Sequence, residues 1–181
     1  MNILKFPGKF DIDPIKEEIE NNPNCWRFDE MRQTIYVQRY TQSIPLRASK
    51  SRRGMLKEDV QDVVPTLLVQ YYPKTMAVLD GLISTLGGEC GRVAIVRLPP
   101  AKFVARHVDE GAYYRARDRF HLVIQGIYEY NVDGESEIFQ SGDLFWFDSQ
   151  KTHHSRNIGD EDRIVLIFDL KGSNFREAFN V

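Results

Sequence analysis

From Arg92 to Leu170 the chain breaks into short apolar or alternating runs with turn-forming residues between them, and this rhythm constrains the fold more than any other feature. The runs are Arg92–Leu98, Phe103–His107, Phe120–Gln125, Ile127–Val132, Glu137–Phe139, Leu144–Phe147 and Ile164–Leu170. Pro99-Pro100, Asp133-Gly134, Ser141-Gly142 and Gly159-Asp160 punctuate them. Such pairs suit turns, because proline pre-sets φ and glycine tolerates positive φ. Many short strands at this spacing predict an antiparallel sandwich or barrel.

The first half reads differently. Asp13-Pro14 predicts a helix start, with Asp13 as N-cap and proline at the first helical position. Ile12, Ile15 and Ile19 recur at roughly helical spacing, and Asn21-Asn22-Pro23 ends the segment. Thr34 to Tyr40 alternates apolar and polar residues and predicts a strand. Ala48 to Glu58 is charged, contains a glycine and reads as a loop. Thr75 predicts the cap of a second helix carrying Val78, Leu79, Leu82, Ile83 and Leu86, stopped by Gly87-Gly88. Helices first and strands afterward predict a mainly β (α+β) jelly roll with N-terminal helices packed on its outside. A single domain over 1–181 is expected, with residues 1–90 as an N-terminal elaboration and 91–172 as the jelly-roll core.

At 181 residues the chain can bury a proper core, and it shows no repeat or low-complexity tract. The net charge of −2 gives no general attraction to nucleic acid or to an anionic membrane. Basic residues cluster at Arg47, Lys50, Arg52 and Arg53, read as a solvated loop, and again at Arg115, Arg117 and Arg119. Cys25 and Cys90 are too few for a disulfide scaffold and lie outside any zinc-finger spacing, so free buried thiols are expected. The N-terminal MNILKFPGKFDIDP lacks the apolar core of a signal peptide, and no apolar run approaches a membrane span. A cytoplasmic location is expected.

All four histidines, His107, His121, His153 and His154, fall in the strand-rich half. In an extended segment, residues two apart point to one face, so His107 and Asp109 can reach one ion from one strand end. A third ligand must come from elsewhere, and His153 or His154 is the main source. Two histidines and one carboxylate leave open positions suited to non-haem iron(II). His107-x-Asp109 alone is a weak signal. Arg163 opens an apolar strand ten residues after His153, where its guanidinium can clamp a carboxylate in bidentate fashion.

His153, Asn157 four residues on, Asp160-Glu161-Asp162-Arg163 and an aliphatic strand ending in Asp169 together resemble the aspartyl/asparaginyl β-hydroxylase family. Arg119-Phe120-His121-Leu122 resembles that family's Arg-x-His-Leu stretch between the two metal histidines. The match covers roughly Leu98 to Leu170, with Ser43-Ile44-Pro45-Leu46-Arg47 as an upstream extension. Bacterial proline hydroxylases of the same superfamily share the H-x-D…H…R pattern. The resemblance implies a double-stranded β-helix, cupin-like, that uses Fe(II), 2-oxoglutarate and O2 to hydroxylate an unactivated carbon. It maps His107 and His153 to the metal histidines, and Arg163 to the distal carboxylate of 2-oxoglutarate. Arg119 and His121 map to pocket residues that contact carboxylates. The steps to Asn157 and Arg163 select His153 over His154. Some vertebrate members lack the metal carboxylate, whereas Asp109 completes the set here. The segment from His107 to Arg119 is longer than in those members, so the substrate-facing loop Glu110–Asp118 differs.

The implied substrate is a small molecule or peptide carrying a carboxylate or amide: an Asp or Asn residue in a peptide, or a free amino acid such as proline. Two rivals stand beside this reading, a cupin-like metal enzyme that does not use 2-oxoglutarate and a non-catalytic jelly-roll binding module. Plainer roles stand beside each site residue. They are a surface ion pair for His107 and Asp109, a core histidine for His121, a rim salt bridge for Arg119, and a pair with Asp160 or Asp162 for Arg163. Phe145, Trp146 and Phe147 are read as core. Tyr113, Tyr114, Arg115 and Arg117 fit either a lid over the entrance or an ordinary loop.

Overall fold

The computed structural model describes residues 1–51 and 54–179. Arg52 and Arg53 of the basic cluster lie outside the described residues. Eleven strands form two antiparallel sheets. They are β1 (Ile3–Lys5), β2 (Gln42–Ser49), β3 (Val63–Pro65), β4 (Glu89–Leu98), β5 (Phe103–His107), β6 (Asp118–Gln125), β7 (Ile127–Val132), β8 (Glu135–Gln140), β9 (Leu144–Phe147), β10 (His153–Asn157) and β11 (Arg163–Lys171). The larger sheet runs β1-β9-β6-β11-β4-β2-β3, and the smaller runs β5-β10-β7-β8. This two-sheet strand exchange is the jelly roll that the second-half rhythm predicts. The first ninety residues supply strands β1, β2 and β3 to the large sheet as well as helices.

The large sheet is buried on both faces, and its alternation sorts residues between two cores. Phe120, Leu122 and Ile124 of β6 and Ile164, Leu166, Phe168 and Leu170 of β11 join the cluster under the helices. Val123 and Val165, of opposite parity, join Tyr128, Tyr130, Val132, Phe139, Phe145 and Phe147 between the sheets. Arg119 and His121 share the parity of Val123, and Arg163 and Asp169 share that of Val165. The barrel interior is therefore aromatic at its wall and charged at chosen points.

Helix α1 (Asp13–Asn21) buries Ile15 and Ile19 against the outer face. Its cap is Ile12, one residue before the predicted Asp13, and no side chain caps it. Helix α3 (Pro73–Leu86) starts two residues before Thr75 and ends at Gly87, whose φ of 72° suits glycine. Thr75 is not its cap. Glu18 of α1 takes that role, accepting the amides of Lys74 and Thr75 at 2.6 and 2.8 Å and the Thr75 hydroxyl at 2.7 Å. A carboxylate on the first turn satisfies orphan donors and suits the helix dipole.

Thr34–Tyr40 is not a strand. Helix α2 (Met31–Thr34) is followed by a tight turn of helix at Tyr36–Gln38. The backbone there bonds locally, Ile35 to Arg32 and Gln38 to Ile35, and Tyr36 is 72% exposed, so the alternation buries no face. The strand of this region is β2, which begins at Gln42. Ala48 and Ser49 belong to it, and a further helical turn, Lys57–Asp59, overlaps the end of the predicted loop. Arg47 donates to the carbonyls of Gly91 and Cys90 rather than lying free. Cys25 and Cys90 are unpaired and half-buried rather than fully buried. Among the described residues no helix is long and apolar enough to cross a membrane.

Candidate metal centre

His107 closes β5 and stands directly opposite His153, the first residue of β10. Their ring centroids lie 4.3 Å apart. His107 Nδ1 is 2.8 Å from the Ala105 carbonyl, and His153 Nδ1 is 2.9 Å from the Lys151 carbonyl. A carbonyl only accepts, so each Nδ1 carries the hydrogen and each Nε2 keeps its lone pair for the interior. Asp109 Oδ1 lies 3.9 Å from His107 Nε2, and Oδ2 lies 3.9 Å from His153 Nε2. One ligand atom from each of the three residues falls within 4.8 Å of the others. Burial is the main reason that the His153 pKa is pushed down to about 4, with Asp109 opposing it. A neutral imidazole is the form a metal requires.

The Asp109 backbone is fixed by the segment that leads into β10. Its amide donates to the Ser149 carbonyl at 3.1 Å, and its carbonyl accepts from Gln150 Nε2 at 3.2 Å. Its carboxylate is fixed by Arg119, whose Nη1 donates to Oδ2 at 2.6 Å. Oδ1 is left facing His107. The structure brings His107, Asp109 and His153 together and leaves His154 out, on the opposite side of β10 by alternation. These donors fit the two-histidine, one-carboxylate set of a divalent metal with open positions.

Arg119 is spoken for on its other side as well. Its Nε and Nη2 donate to Asp169 Oδ1 and Oδ2 at 2.8 and 3.0 Å, directly across the β6–β11 register. Burial alone would lower its pKa, but Asp109 and Asp169 together raise it well above the usual value. Its carboxylate partners belong to the chain itself. Tyr113 of α4 (Ala112–Arg115) donates its hydroxyl to Asp169 Oδ2 at 3.1 Å and accepts from the Arg92 amide at 2.6 Å. Tyr113 is fully buried, and Arg117 donates to Gln61, so this segment is tied down at both points.

His121 faces the interior among Tyr130, Phe145 and Phe147, with centroids 5.5, 5.0 and 5.2 Å away. Its Nδ1 is buried and has no hydrogen-bond partner. Burial, then the charges of Arg163 and Arg119, hold its pKa well below 6.5, so it stays neutral.

Arg163 is 2% exposed at the start of β11, and its guanidinium lies 4.7 Å from the Tyr128 ring centre. Its Nε is buried without a partner, and no carboxylate of the described residues pairs with it. Asp162 instead lies 3.9 Å from Arg97. Burial lowers the Arg163 pKa, with only the tyrosines Tyr128 and Tyr130 opposing. Asn157 explains the spacing that singled out this arginine. Its amide donates to the Leu98 and Glu161 carbonyls and its Oδ1 accepts from the Gly159 amide, which fixes the β10–β11 turn.

The family model for aspartyl/asparaginyl β-hydroxylase matches residues 11–172. The chain belongs to this family. Membership makes a hydroxylase-type metal enzyme the coarse description of the protein, in line with the His107–Asp109–His153 cluster. Comparison with curated proteins gives no match. Among solved structures, a predicted oxalate decarboxylase from Thermotoga maritima is 20% identical, with 51% of this chain and 72% of that chain covered and a TM-score of 0.39. The cupin domain of Schizosaccharomyces pombe Cnp3 is 14% identical, covering 44% and 55%, TM-score 0.39. A double-stranded β-helix protein from Klebsiella pneumoniae is 22% identical, covering 48% and 71%, TM-score 0.39.

Sequence reasoning named Asp169 only as a strand end and Tyr113 only as a lid or loop residue, and missed the Arg119–Asp169–Tyr113 chain of bonds. The Asp169–Arg119 pair is visible only once β6 and β11 are set in register.

Proposed function

We propose that the chain is an Fe(II)- and 2-oxoglutarate-dependent hydroxylase acting on an amino-acid-type substrate, a free amino acid or an Asp or Asn residue in a peptide. The observation that carries the reading is Arg163. A guanidinium is buried without a carboxylate partner in the interior that also holds His107, Asp109 and His153. Burying an unpaired cation costs several kcal/mol, on the order of what a bound carboxylate recovers. In this reading Arg163 holds the distal carboxylate of 2-oxoglutarate, while His107, Asp109 and His153 hold the iron.

When bound, iron and 2-oxoglutarate supply the oxidising power to activate O2 and hydroxylate an unactivated carbon. The chain's residues do the rest. His107 and His153 present Nε2 because their Nδ1 hydrogens are held by carbonyls. Arg119, anchored on Asp169, keeps Asp109 Oδ1 turned inward. Neutral His121 and the rings of Tyr130, Phe145 and Phe147 line the wall and exclude water.

The test is anaerobic titration of the purified chain with Fe(II) and 2-oxoglutarate, watched for the visible charge-transfer band of the chelate. The band is expected in wild type and in H154A and lost in H107A. R163M should weaken 2-oxoglutarate by about 30-fold or more while leaving Fe(II) binding alone. A well-folded wild type that binds Fe(II) without the band would overturn the reading in favour of a metal enzyme that does not use 2-oxoglutarate.

A further inference from the structure

Three arginines act on the barrel interior, and only one of them has a carboxylate partner among the described residues. Arg119 is paired with Asp109 and Asp169. Arg163 is the unpaired guanidinium discussed above. The third is Arg32, which comes from outside the jelly roll on the short helix α2. Its Nε is enclosed and has no hydrogen-bond partner. Burial, then repulsion from Arg119, pushes its pKa down to about 10, and its surroundings include Tyr114, Asp109 and Arg163. Its charge is felt in turn by His121.

The local chain explains how Arg32 gets there. Asp29 bridges to Ser43 of β2, accepting from the Ser43 hydroxyl at 3.1 Å and from the Met31 amide at 3.1 Å. Ile44 and Leu46 of β2 pack under the helices, so Ser43 faces the other way, toward the site. Asp29 thus pins the start of α2 on the site side of β2. Met31 is exposed, whereas Arg32 beside it is partly buried with its Nε enclosed.

We infer that Arg32 is the residue that binds the carboxylate of the substrate. The inference rests on the hydroxylase reading above and adds the substrate's charge and its anchor. Arg163 has the depth of the barrel and a start-of-strand position suited to the co-substrate. Arg32 arrives from the edge of β2, on a separate element, as a substrate contact must if it is to differ from the co-substrate contact. A guanidinium with a free edge takes a carboxylate in bidentate fashion and rejects the matching amide, which brings donors of its own.

The full chain, R32M and R32K are loaded anaerobically with Mn(II), with and without 2-oxoglutarate, and binding is read by calorimetry and thermal shift. The probes are the proteinogenic amino acids as free acids, the same compounds as α-amides, and blocked aspartyl and asparaginyl peptides. In wild type, at least one acid should bind more tightly than its amide counterpart. A free amino acid implicates an α-carboxylate, and a blocked aspartyl peptide implicates a side-chain carboxylate. R32M should bind that acid about 30-fold or more weakly and lose the preference over the amide, with R32K in between. Its 2-oxoglutarate affinity should match wild type, and its unfolding temperature should be equal or higher, because an unpaired buried cation has been removed. R32K carries the same comparison should R32M fail to fold. The inference is overturned if no acid outbinds its amide in wild type, or if R32M keeps the preference. Failure of wild type to bind 2-oxoglutarate overturns the earlier reading instead, and Arg32 is then judged on the arm without it.

Discussion

Replacing Asp169 with asparagine removes one charge from a buried cluster at nearly constant shape. Asp169 is 1% exposed, takes two hydrogen bonds from Arg119 at 2.8 and 3.0 Å, and takes a third from Tyr113 at 3.1 Å. The asparagine amide turns one acceptor into a donor that faces guanidinium or hydroxyl hydrogens. Breaking a buried pair from one side costs roughly 3–5 kcal/mol. Asp109 still holds Arg119 at 2.6 Å, so Asp169→Asn belongs at the low end, about 3 kcal/mol. For a domain of this length that lowers the unfolding midpoint by about 6–12 °C. Urea and thermal unfolding of the metal-free chain measure it. A second consequence is chemical. The freed arms of Arg119 can turn onto Asp109 and compete for Oδ1, so Mn(II) affinity should fall too. The double variant Arg119→Met, Asp169→Asn should lose less than the sum of the singles, with a coupling of roughly 1–3 kcal/mol. An Asp169→Asn protein within about 0.5 kcal/mol of wild type, with unchanged Mn(II) affinity, would refute the charge argument.

His153→Ala should abolish tight Mn(II) binding while His154→Ala leaves it within about twofold, because only His153 shares the interior with Asp109; calorimetry on both variants decides between them. Glu18→Gln should destabilise the fold by about 1–2 kcal/mol in equilibrium unfolding, since one carboxylate caps the first turn of α3 through three hydrogen bonds. His121→Leu should be no less stable than wild type above about pH 6.5. The folded-state pKa of His121 is depressed, so the unfolded chain takes the proton first. Wild type should therefore lose ground to the variant as the pH falls below that value, by up to about 1.4 kcal/mol per pH unit until the folded-state pKa is reached. Parallel stability–pH curves for the two proteins would show instead that His121 is free to protonate in the folded state.

The strands legible in the sequence are those with ordinary patterns. Residues Phe103–His107, Ile127–Val132 and Leu144–Phe147 fold as read, each bounded by a turn pair or a bend. The strand β10 is not legible, and the reason lies in its inward side chains. Its inward residues are His153, Ser155 and Asn157, so the positions that would show an apolar alternation carry polar side chains, the last of them a turn clamp. The same substitution of chemistry for pattern moves the true start of β6 outward, to Asp118, whereas Arg163 opens β11 as read. A site built on strands erases the signal that would locate those strands. Thr34–Tyr40 errs in the other direction, because the backbone there pairs with no strand of the described residues and closes on itself. The Glu18 cap joins residues 56 and 57 positions apart, a pairing no local pattern reports.

The interior can now be ordered by what each arginine lacks. Arg119 has two carboxylates and holds the Asp109 side chain in place. Its charge is met within the chain, while the Arg-x-His-Leu resemblance implies a ligand contact for it. Arg163 and Arg32 have no carboxylate among the described residues, and each has an enclosed Nε without a partner. Cations kept in that state are destabilising unless something anionic arrives, so stability alone gives no reason to retain them. Two unmet guanidiniums on separate elements therefore argue for two carboxylates entering by separate routes. One sits deep, against the start of β11, and one near α2 at the edge of β2. Removing either arginine should raise or preserve the stability of the empty protein while costing it a ligand, the opposite of what Asp169→Asn does.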